Sequence, residues 1–305
     1  MIRNLILGAL LLMQLTLFAQ QPAVPFFDSL GIIAKNAVLQ KISSRFSFTE
    51  GPVADKAGNI YFTDQPNDQI WRYNLDGTLT EFMSASGRAN GLDMDARGNI
   101  IACADAQNEL WSITPSGKVT VLLSDVGGKK LNGPNDLWID KRGGIYFTDP
   151  YYQRKYWTRT EPEILQQKVY YLPRGTRQPV VVTDELVKPN GIVGSGDGKL
   201  LYVADIKDNK TYRFRIGKDG FLSDKIVFVS QGADGITLDE KGNLYLSGNG
   251  ITVFDPKGRR IAYIPVPEKW TANVCFGGRN RDLLFMTAGT SIYVLQMRVK
   301  GIRKF

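Results

Sequence analysis

Histidine is absent from the 305-residue sequence. Without an imidazole, the chain cannot build a Ser-His-Asp or Cys-His catalytic group and cannot bind zinc or haem through histidine. It also lacks the side chain that most often serves as a general base near neutral pH. Chemistry in this protein must therefore use carboxylates, amides or a hard metal ion bound by oxygen ligands.

Cysteine is scarce, and Cys103 and Cys275 are the only two in the chain. Each lies within an apolar run that is typical of a strand, so buried free thiols are expected rather than a disulfide. Neither thiol is predicted to act as a nucleophile, because the sequence offers no histidine to help form the thiolate.

Long runs of one charge are also missing. The chain has 38 Lys and Arg against 30 Asp and Glu, a formal charge of +8, but its longest basic runs are pairs such as Lys129-Lys130. This pattern predicts a solvated basic surface and no nucleic-acid partner. Hydrophobic residues make up 43% of the chain, which is enough for a substantial core and excludes a disordered or fibrous protein.

The first 19 residues have the pattern of a secretory signal peptide. Arg3 supplies the positive start, residues 5–17 form an apolar stretch, and the small residue Ala19 ends the segment. The stretch is too short to span a membrane comfortably, and no cysteine near Ala19 could accept a lipid. We therefore predict a periplasmic or secreted protein without stable membrane insertion after cleavage, in which residues 20–37 form an N-terminal extension.

Six similar segments follow in the rest of the chain. In the first five, a glycine lies eight residues after the first residue, and in all six an apolar residue lies ten after it. The segments start at Glu50, Asn90, Asn135, Asn190, Asp234 and Asn273. Each contains a short apolar strand, a turn and a second strand rich in β-branched and aromatic residues, and the clearer copies add two further strands.

Four-stranded repeats spaced 39 to 55 residues apart predict an all-β, six-bladed β-propeller over residues 38–305, with no second domain. The last repeat has little chain left for a fourth strand. The run Val38–Ile42 is predicted to supply that strand, so that the N-terminal strand closes the last blade and protects its edge.

The innermost strands of a propeller line its central channel, so the six starting residues are predicted to converge there. Asn and Asp before Gly are also ordinary turn residues, which is a competing explanation for the pattern. Glu50 argues against that explanation, because glutamate is a poor turn residue. Carboxylates of Glu50 and Asp234 brought together would raise each other's pKa and call for a cation, and oxygen ligands select a hard divalent ion such as Ca²⁺.

Three segments resemble the SMP-30/gluconolactonase/LRE-like family of six-bladed propellers, with a match from about Phe48 to the C-terminus. Phe48–Pro52 resembles the opening motif of the family, while Leu131–Asp136 and Ile145–Pro150 resemble its gluconolactonase branch. The resemblance implies a divalent metal, usually calcium, with Zn²⁺, Mg²⁺ or Mn²⁺ as alternatives. Its ligands would be an acid, two asparagines and an aspartate, which are matched here by Glu50, Asn135, Asn190 and Asp234.

The resemblance implies hydrolysis of a small-molecule sugar lactone. The leading hypothesis is that water attacks a metal-polarised carbonyl, with Asp234 as the general base and Glu50 as a pure ligand, and the sequence leaves the reverse assignment open. Asp136 is an alternative proton acceptor or ligand-orienting residue, and it also fits a turn acid that bonds its own backbone. The candidate substrate-binding residues are Asn90, Asn132, Asp136, Tyr151 and Asn273.

Two features of the sequence are individual. Asp105-Ala106 stands where gluconolactonase relatives often carry a His-Gly pair, a difference that bears on sugar preference. The longest gap between repeats contains the aromatic run Tyr151–Trp157, which either roofs the channel or packs on its rim.

Two other functions remain open: a calcium-stabilised propeller that binds a sugar or protein, and a phosphotriester hydrolase at the same site. The sequence leaves the oligomeric state open.

Overall fold

The computed structural model describes residues 26–303, and the signal peptide predicted at residues 1–19 lies outside this range. Two short strands come first, β1 (Phe27–Asp28) and β2 (Gln40–Ser43). The remaining strands form six sheets in sequence order. Within residues 26–303, no helix is long and apolar enough to cross a membrane.

Each sheet is one antiparallel blade whose first strand is innermost. Blade one contains β3 (Thr49–Ala54), β4 (Ile60–Asp64), β5 (Gln69–Tyr73) and β6 (Leu79–Ser84). Blade two contains β7 (Ala89–Met94), β8 (Ile100–Ala104), β9 (Glu109–Ile113) and β10 (Val119–Leu123). Blade three contains β11 (Leu137–Ile139), β12 (Ile145–Asp149), β13 (Lys168–Leu172) and β14 (Val180–Thr183).

The second half of the ring repeats this plan. Blade four contains β15 (Pro189–Gly194), β16 (Leu200–Asp205), β17 (Lys210–Ile216) and β18 (Leu222–Val229). Blade five contains β19 (Ile236–Leu238), β20 (Leu244–Gly248), β21 (Gly250–Phe254) and β22 (Arg260–Ile264). Blade six contains β23 (Asn273–Gly277), β24 (Leu283–Ala288) and β25 (Ser291–Gln296). The innermost strands contact one another in a closed cycle, so the predicted six-bladed propeller is confirmed.

The repeated glycine closes the turn between the first two strands of a blade. In blade one, Gly58 has a φ of +102°, a value that L side chains rarely adopt. The Asp55 carboxylate accepts hydrogen bonds from the backbone N–H groups of Ala57, Gly58 and Asn59 at 2.8–2.9 Å. The sequence register therefore arises from a turn that blades one, two, three and five build in the same way, with aspartate at its start.

The N-terminal chain closes the ring, as predicted. Strand β2 pairs with β25 as the fourth strand of blade six. Strand β1 was not predicted, and it adds a fifth strand to blade five by pairing with β22. Ile32 and Ile33, between the two strands, are buried against the core of blades five and six. Both cysteines are buried and neither forms a disulfide, as the sequence indicated.

A cavity of about 640 Å³ occupies the channel mouth on the side of the turns between first and second strands. Its lining includes five basic residues that are far apart in the sequence, Lys56, Arg279, Arg281, Lys300 and Arg303. These residues meet at this mouth because the propeller gathers its turns on one face, a placement that the sequence did not predict.

Removing the closing strands tests their contribution to stability. A chain that begins at Ser44 loses β1, β2 and the buried side chains Ile32 and Ile33, and it leaves the edge of β25 unpaired. We expect its melting temperature to fall by about 10 °C or more relative to a control chain beginning at Phe26, measured by thermal unfolding. Equal melting temperatures for the two chains would contradict this role.

Candidate metal centre and active site

The six repeat-start residues meet around one end of the channel, at the N-terminal ends of the innermost strands. Five of them are buried, and Asp234 is partly accessible. Asn273 Nδ2 donates to Glu50 Oε2 at 3.0 Å, which joins the last blade to the first. Asn90 Nδ2 donates to the backbone carbonyl of Asn135 at 3.3 Å, which joins blades two and three.

The glycine after a repeat-start residue is required by close packing between blades. A Cβ on Gly51 would lie 2.0 Å from the carbonyl oxygen of Asn90, and a Cβ on Gly235 would lie 2.0 Å from Cγ of Asn273. A Cβ on Gly191 would lie 2.3 Å from the carbonyl oxygen of Asp234. These glycines lie beside the first residue of the next repeat, so the turn explanation for the pattern does not account for them.

Hydroxyl groups on the second strands hold the same residues from behind. Thr63 donates to the carbonyl of Asn90 at 3.1 Å, and Thr148 donates to the carbonyl of Asn190 at 2.8 Å. Ser247 donates to the carbonyl of Ala272, next to Asn273, at 2.8 Å. Each bond crosses from one blade to the next. The contacts that close the propeller therefore also position the six repeat-start residues, which are called the ring below.

Three carboxyl groups lie close enough at this end of the channel to affect one another. Burial, followed by the charge of Asp234, raises the pKa of Glu50 well above its usual value. Burial raises the pKa of Asp234 to about 6, against hydrogen bonds from Trp270 and Asn190 that lower it. Burial also raises the pKa of Asp136 to about 7. Without a counter-charge, the site therefore disfavours its own ionised form.

The donor set at this site is mixed. In residues 26–303, no group of three His, Cys, Asp or Glu side chains is arranged to hold a metal ion. Glu50 uses Oε2 to accept from Asn273 and from the backbone N–H of Gly51, and its Oε1 accepts no hydrogen bond from the described residues. Asn190 donates through Nδ2 to the Tyr152 hydroxyl at 3.2 Å, which leaves its amide oxygen as a ligand. A cation here would need amide oxygens beside the two carboxylates of Glu50 and Asp234.

Two aromatic residues complete the site: Trp270, which sequence reasoning missed, and Tyr152, which lies within the aromatic run that the sequence placed near the channel. Trp270 donates through Nε1 to Asp234 Oδ2 at 2.6 Å, and the Tyr152 hydroxyl accepts from Asn190. Tyr152 stands beside Tyr151 in the longest gap between repeats, which was the available signal for it. Trp270 is a lone tryptophan before the sixth repeat, and the pattern gave no signal for it.

The third-blade insertion lies over the ring and is fixed to blade two through Asp105. The Asp105 carboxylate accepts from Arg154 Nε at 3.0 Å and from the Tyr156 hydroxyl, and its backbone carbonyl accepts from Trp157 Nε1 at 2.8 Å. Tyr151 is partly buried, with its ring centre 5.8 Å from that of Trp157. The aromatic run therefore packs on the rim and also reaches the ring, through Tyr152.

Asn132 and Asp136 serve the backbone around the site. Asn132 is fully buried, and its amide donates to the carbonyls of Asp149 and Gln166 at 3.4 and 3.3 Å, which holds the insertion in place. Asp136 is buried beside the ring, and its Oδ1 accepts from the backbone N–H of Leu137 at 2.9 Å. Both residues support the ring from its sides.

A profile of the SMP-30/gluconolactonase/LRE-like region matches residues 48–290. A gluconolactonase from Zymomonas mobilis is 26% identical over 301 residues, covering 88% of this chain and 84% of its own length. Lactonase drp35 from Staphylococcus saprophyticus is 27% identical over 246 residues, 75% of this chain and 73% of its own. The structure of a gluconolactonase from Xanthomonas campestris superposes with a TM-score of 0.82 at 27% identity, covering 91% of this chain and 98% of that one.

Glycine packing between blades can be tested with one matched pair of variants in blade four. Gly191→Ala forces a Cβ against the Asp234 carbonyl, whereas a Cβ on Gly196 meets its nearest atom at 3.6 Å. We expect Gly191→Ala to lower the free energy of unfolding by about 1–3 kcal/mol. Gly196→Ala should change it by less than about 0.5 kcal/mol in the same urea titration. Equal effects would show that close approach at the ring is unimportant.

Proposed function

The chain belongs to the SMP-30/gluconolactonase/LRE-like family, and from that premise we propose that it is an exported, metal-dependent hydrolase that opens sugar lactones. The observation that carries the proposal is the convergence of two carboxylates and several amides at one mouth of the channel. A surface loop or a purely structural core has no need for this arrangement, because burying unpaired carboxylates costs stability.

The residues fit a hard divalent cation, most simply Ca²⁺. Glu50 and Asp234 would neutralise its charge, and the amide oxygens of Asn135 and Asn190 would complete the protein ligands. The Asn135 side chain forms no hydrogen bond with the other residues in 26–303, so its amide is available as a ligand. When bound, such an ion polarises the lactone carbonyl and stabilises negative charge on its oxygen.

Asp234 is the proposed general base. Trp270 fixes its Oδ2, so the orientation of the carboxylate is set before substrate binds. Asp234 takes a proton from the attacking water as the new carbonyl C–O bond forms. It then returns that proton to the ring oxygen as the ester C–O bond breaks, giving the open hydroxy acid.

Glu50 remains a ligand in this mechanism. Asp136 is less suited than Asp234 to exchange protons, because it is buried and accepts hydrogen bonds from the backbone N–H groups of Leu137 and Ile192. We assign Asp136 to holding adjacent blades in position around the ring. Asn90 and Asn273 lie at the ring and are proposed to face the substrate.

Metal removal tests the activity. The chain from Gln20 should release acid from a panel of aldonolactones, followed with a pH indicator. EDTA should abolish the release, and Ca²⁺, Mg²⁺, Mn²⁺ or Zn²⁺ should restore it to different extents, because the ion acts on the reacting carbonyl. No hydrolysis of any lactone, together with calcium-dependent thermal stabilisation, would instead support a binding protein. Cleavage of phosphotriesters but of no lactone would support a phosphotriester hydrolase at the same site.

Replacing the proposed base separates chemistry from metal binding. Asp234→Asn should lower kcat by about 10²–10⁴-fold even at a Ca²⁺ concentration that fills the weakened site, because the amide cannot accept the proton of water. Asp184→Asn, an exposed aspartate that precedes blade four, is the control and should retain wild-type kcat. Normal turnover by metal-loaded Asp234→Asn would exclude this residue as the base.

Glu50 is predicted to affect metal binding first. Glu50→Gln removes one of two ligand charges, so the rise in melting temperature on adding Ca²⁺ should shrink or vanish. The measurement is thermal unfolding with and without about 1 mM Ca²⁺, a concentration near the dissociation constants of extracellular calcium-binding modules. A Ca²⁺-induced rise equal to that of the wild type would remove Glu50 from the ligand set.

A further inference from the structure

Two cations lie near the aromatic ring of Tyr152, whose hydroxyl contacts the proposed metal ligand Asn190. Lys188 Nζ lies 4.2 Å from the centre of the Tyr152 ring, and the guanidinium carbon of Arg154 lies 5.6 Å from it. The Tyr152 hydroxyl accepts from Asn190 at 3.2 Å. Only the Tyr152 side chain therefore separates the two positive groups from the repeat-start residues where chemistry is proposed.

Arg154 is held so that much of its hydrogen-bonding capacity remains available. It donates through Nε to Asp105 at 3.0 Å, and its side chain is 25% exposed. Its two terminal nitrogens donate no hydrogen bond to another residue in 26–303. Paired guanidinium N–H groups match the two oxygens of a carboxylate.

Lys188 lacks an acidic partner. Within the described part of the chain, no carboxylate oxygen lies within 4 Å of its Nζ. The nearby Asp205 carboxylate accepts from the backbone N–H groups of Val187 and Lys188 instead. An anion bound near the Lys188 ammonium would supply the carboxylate contact that it lacks in residues 26–303.

We propose that Arg154 and Lys188 form a subsite for a carboxylate on the substrate, so that the enzyme prefers lactones of acidic sugars to neutral ones. This inference rests on the proposed lactonase function. The substrate would place its ring carbonyl at the metal centre and its acidic end beside Tyr152. Attraction to the two cations would then lower KM for the acidic substrate.

Asp105 is the positioning residue of this subsite. It binds Arg154 through its carboxylate and holds the insertion through Tyr156 and Trp157, without reaching the ring itself. A Cβ on Gly133 would come within 3.0 Å of both Asp105 and Trp157, so the anchor is closely packed. The direction in which Arg154 presents its terminal nitrogens therefore depends on blade two.

The test compares a neutral aldonolactone with the matching lactone that carries a terminal carboxylate. The wild-type enzyme should show a higher kcat/KM for the acidic lactone, and its KM for that substrate alone should rise with ionic strength. Equal or better turnover of the neutral lactone would overturn the subsite while leaving the lactonase function intact.

The variant Lys188→Gln should raise KM for the acidic lactone about tenfold and change the neutral substrate little, because one charge-assisted contact is lost. Lys155→Gln, an exposed lysine in the same insertion, is the control and should behave as wild type. Equal loss for both substrates would contradict the assignment.

A binding measurement keeps the subsite testable if no lactone is turned over. Calorimetric titration of wild type with the open dicarboxylate product should give tighter binding than with the neutral aldonate, and Lys188→Gln should remove the difference. Failure of hydrolysis with this difference intact would overturn the lactonase function and support the subsite. Absence of the difference in wild type would overturn the subsite.

Discussion

The repulsion between Glu50 and Asp234 is the constraint on which the site depends. Glu50 lies in innermost strand β3 and is buried, and Asp234 lies two residues before innermost strand β19 and is only partly accessible. Burial makes each harder to ionise, and the charge of Asp234 adds to the effect at Glu50. A bound cation turns this unfavourable arrangement into a stable one.

The same contacts hold the ring and close the propeller. Glycines follow four of the six repeat-start residues because the next blade occupies the space that a Cβ would need, as at Gly51 and Gly235. Thr63 and Thr148 then bind the carbonyls of Asn90 and Asn190 from the preceding blades. The geometry of the site is consequently as rigid as the interfaces between blades, which suits electrostatic stabilisation of a reacting carbonyl.

The repeats made most of the fold and the ring predictable. A residue at a fixed place in each repeat occupies a fixed height in the channel. The sequence alone therefore predicted that Glu50, Asn190 and Asp234 lie close together. Tyr152, Trp270 and strand β1 could not, because they depend on loop paths that no repeat specifies. The basic mouth escaped detection for a related reason: its residues are distant in sequence and meet only when the turns gather on one face.

Asp105 links blade two to the third-blade insertion. Its carboxylate and its backbone carbonyl anchor an insertion that reaches the ring. The most direct test of the account is the position of the ion itself. Long-wavelength diffraction from crystals grown with Ca²⁺ should show one anomalous peak bounded by oxygens of Glu50, Asn135, Asn190 and Asp234, at about 2.3–2.6 Å from each. Calcium-saturated crystals with no peak between those four residues would contradict the account.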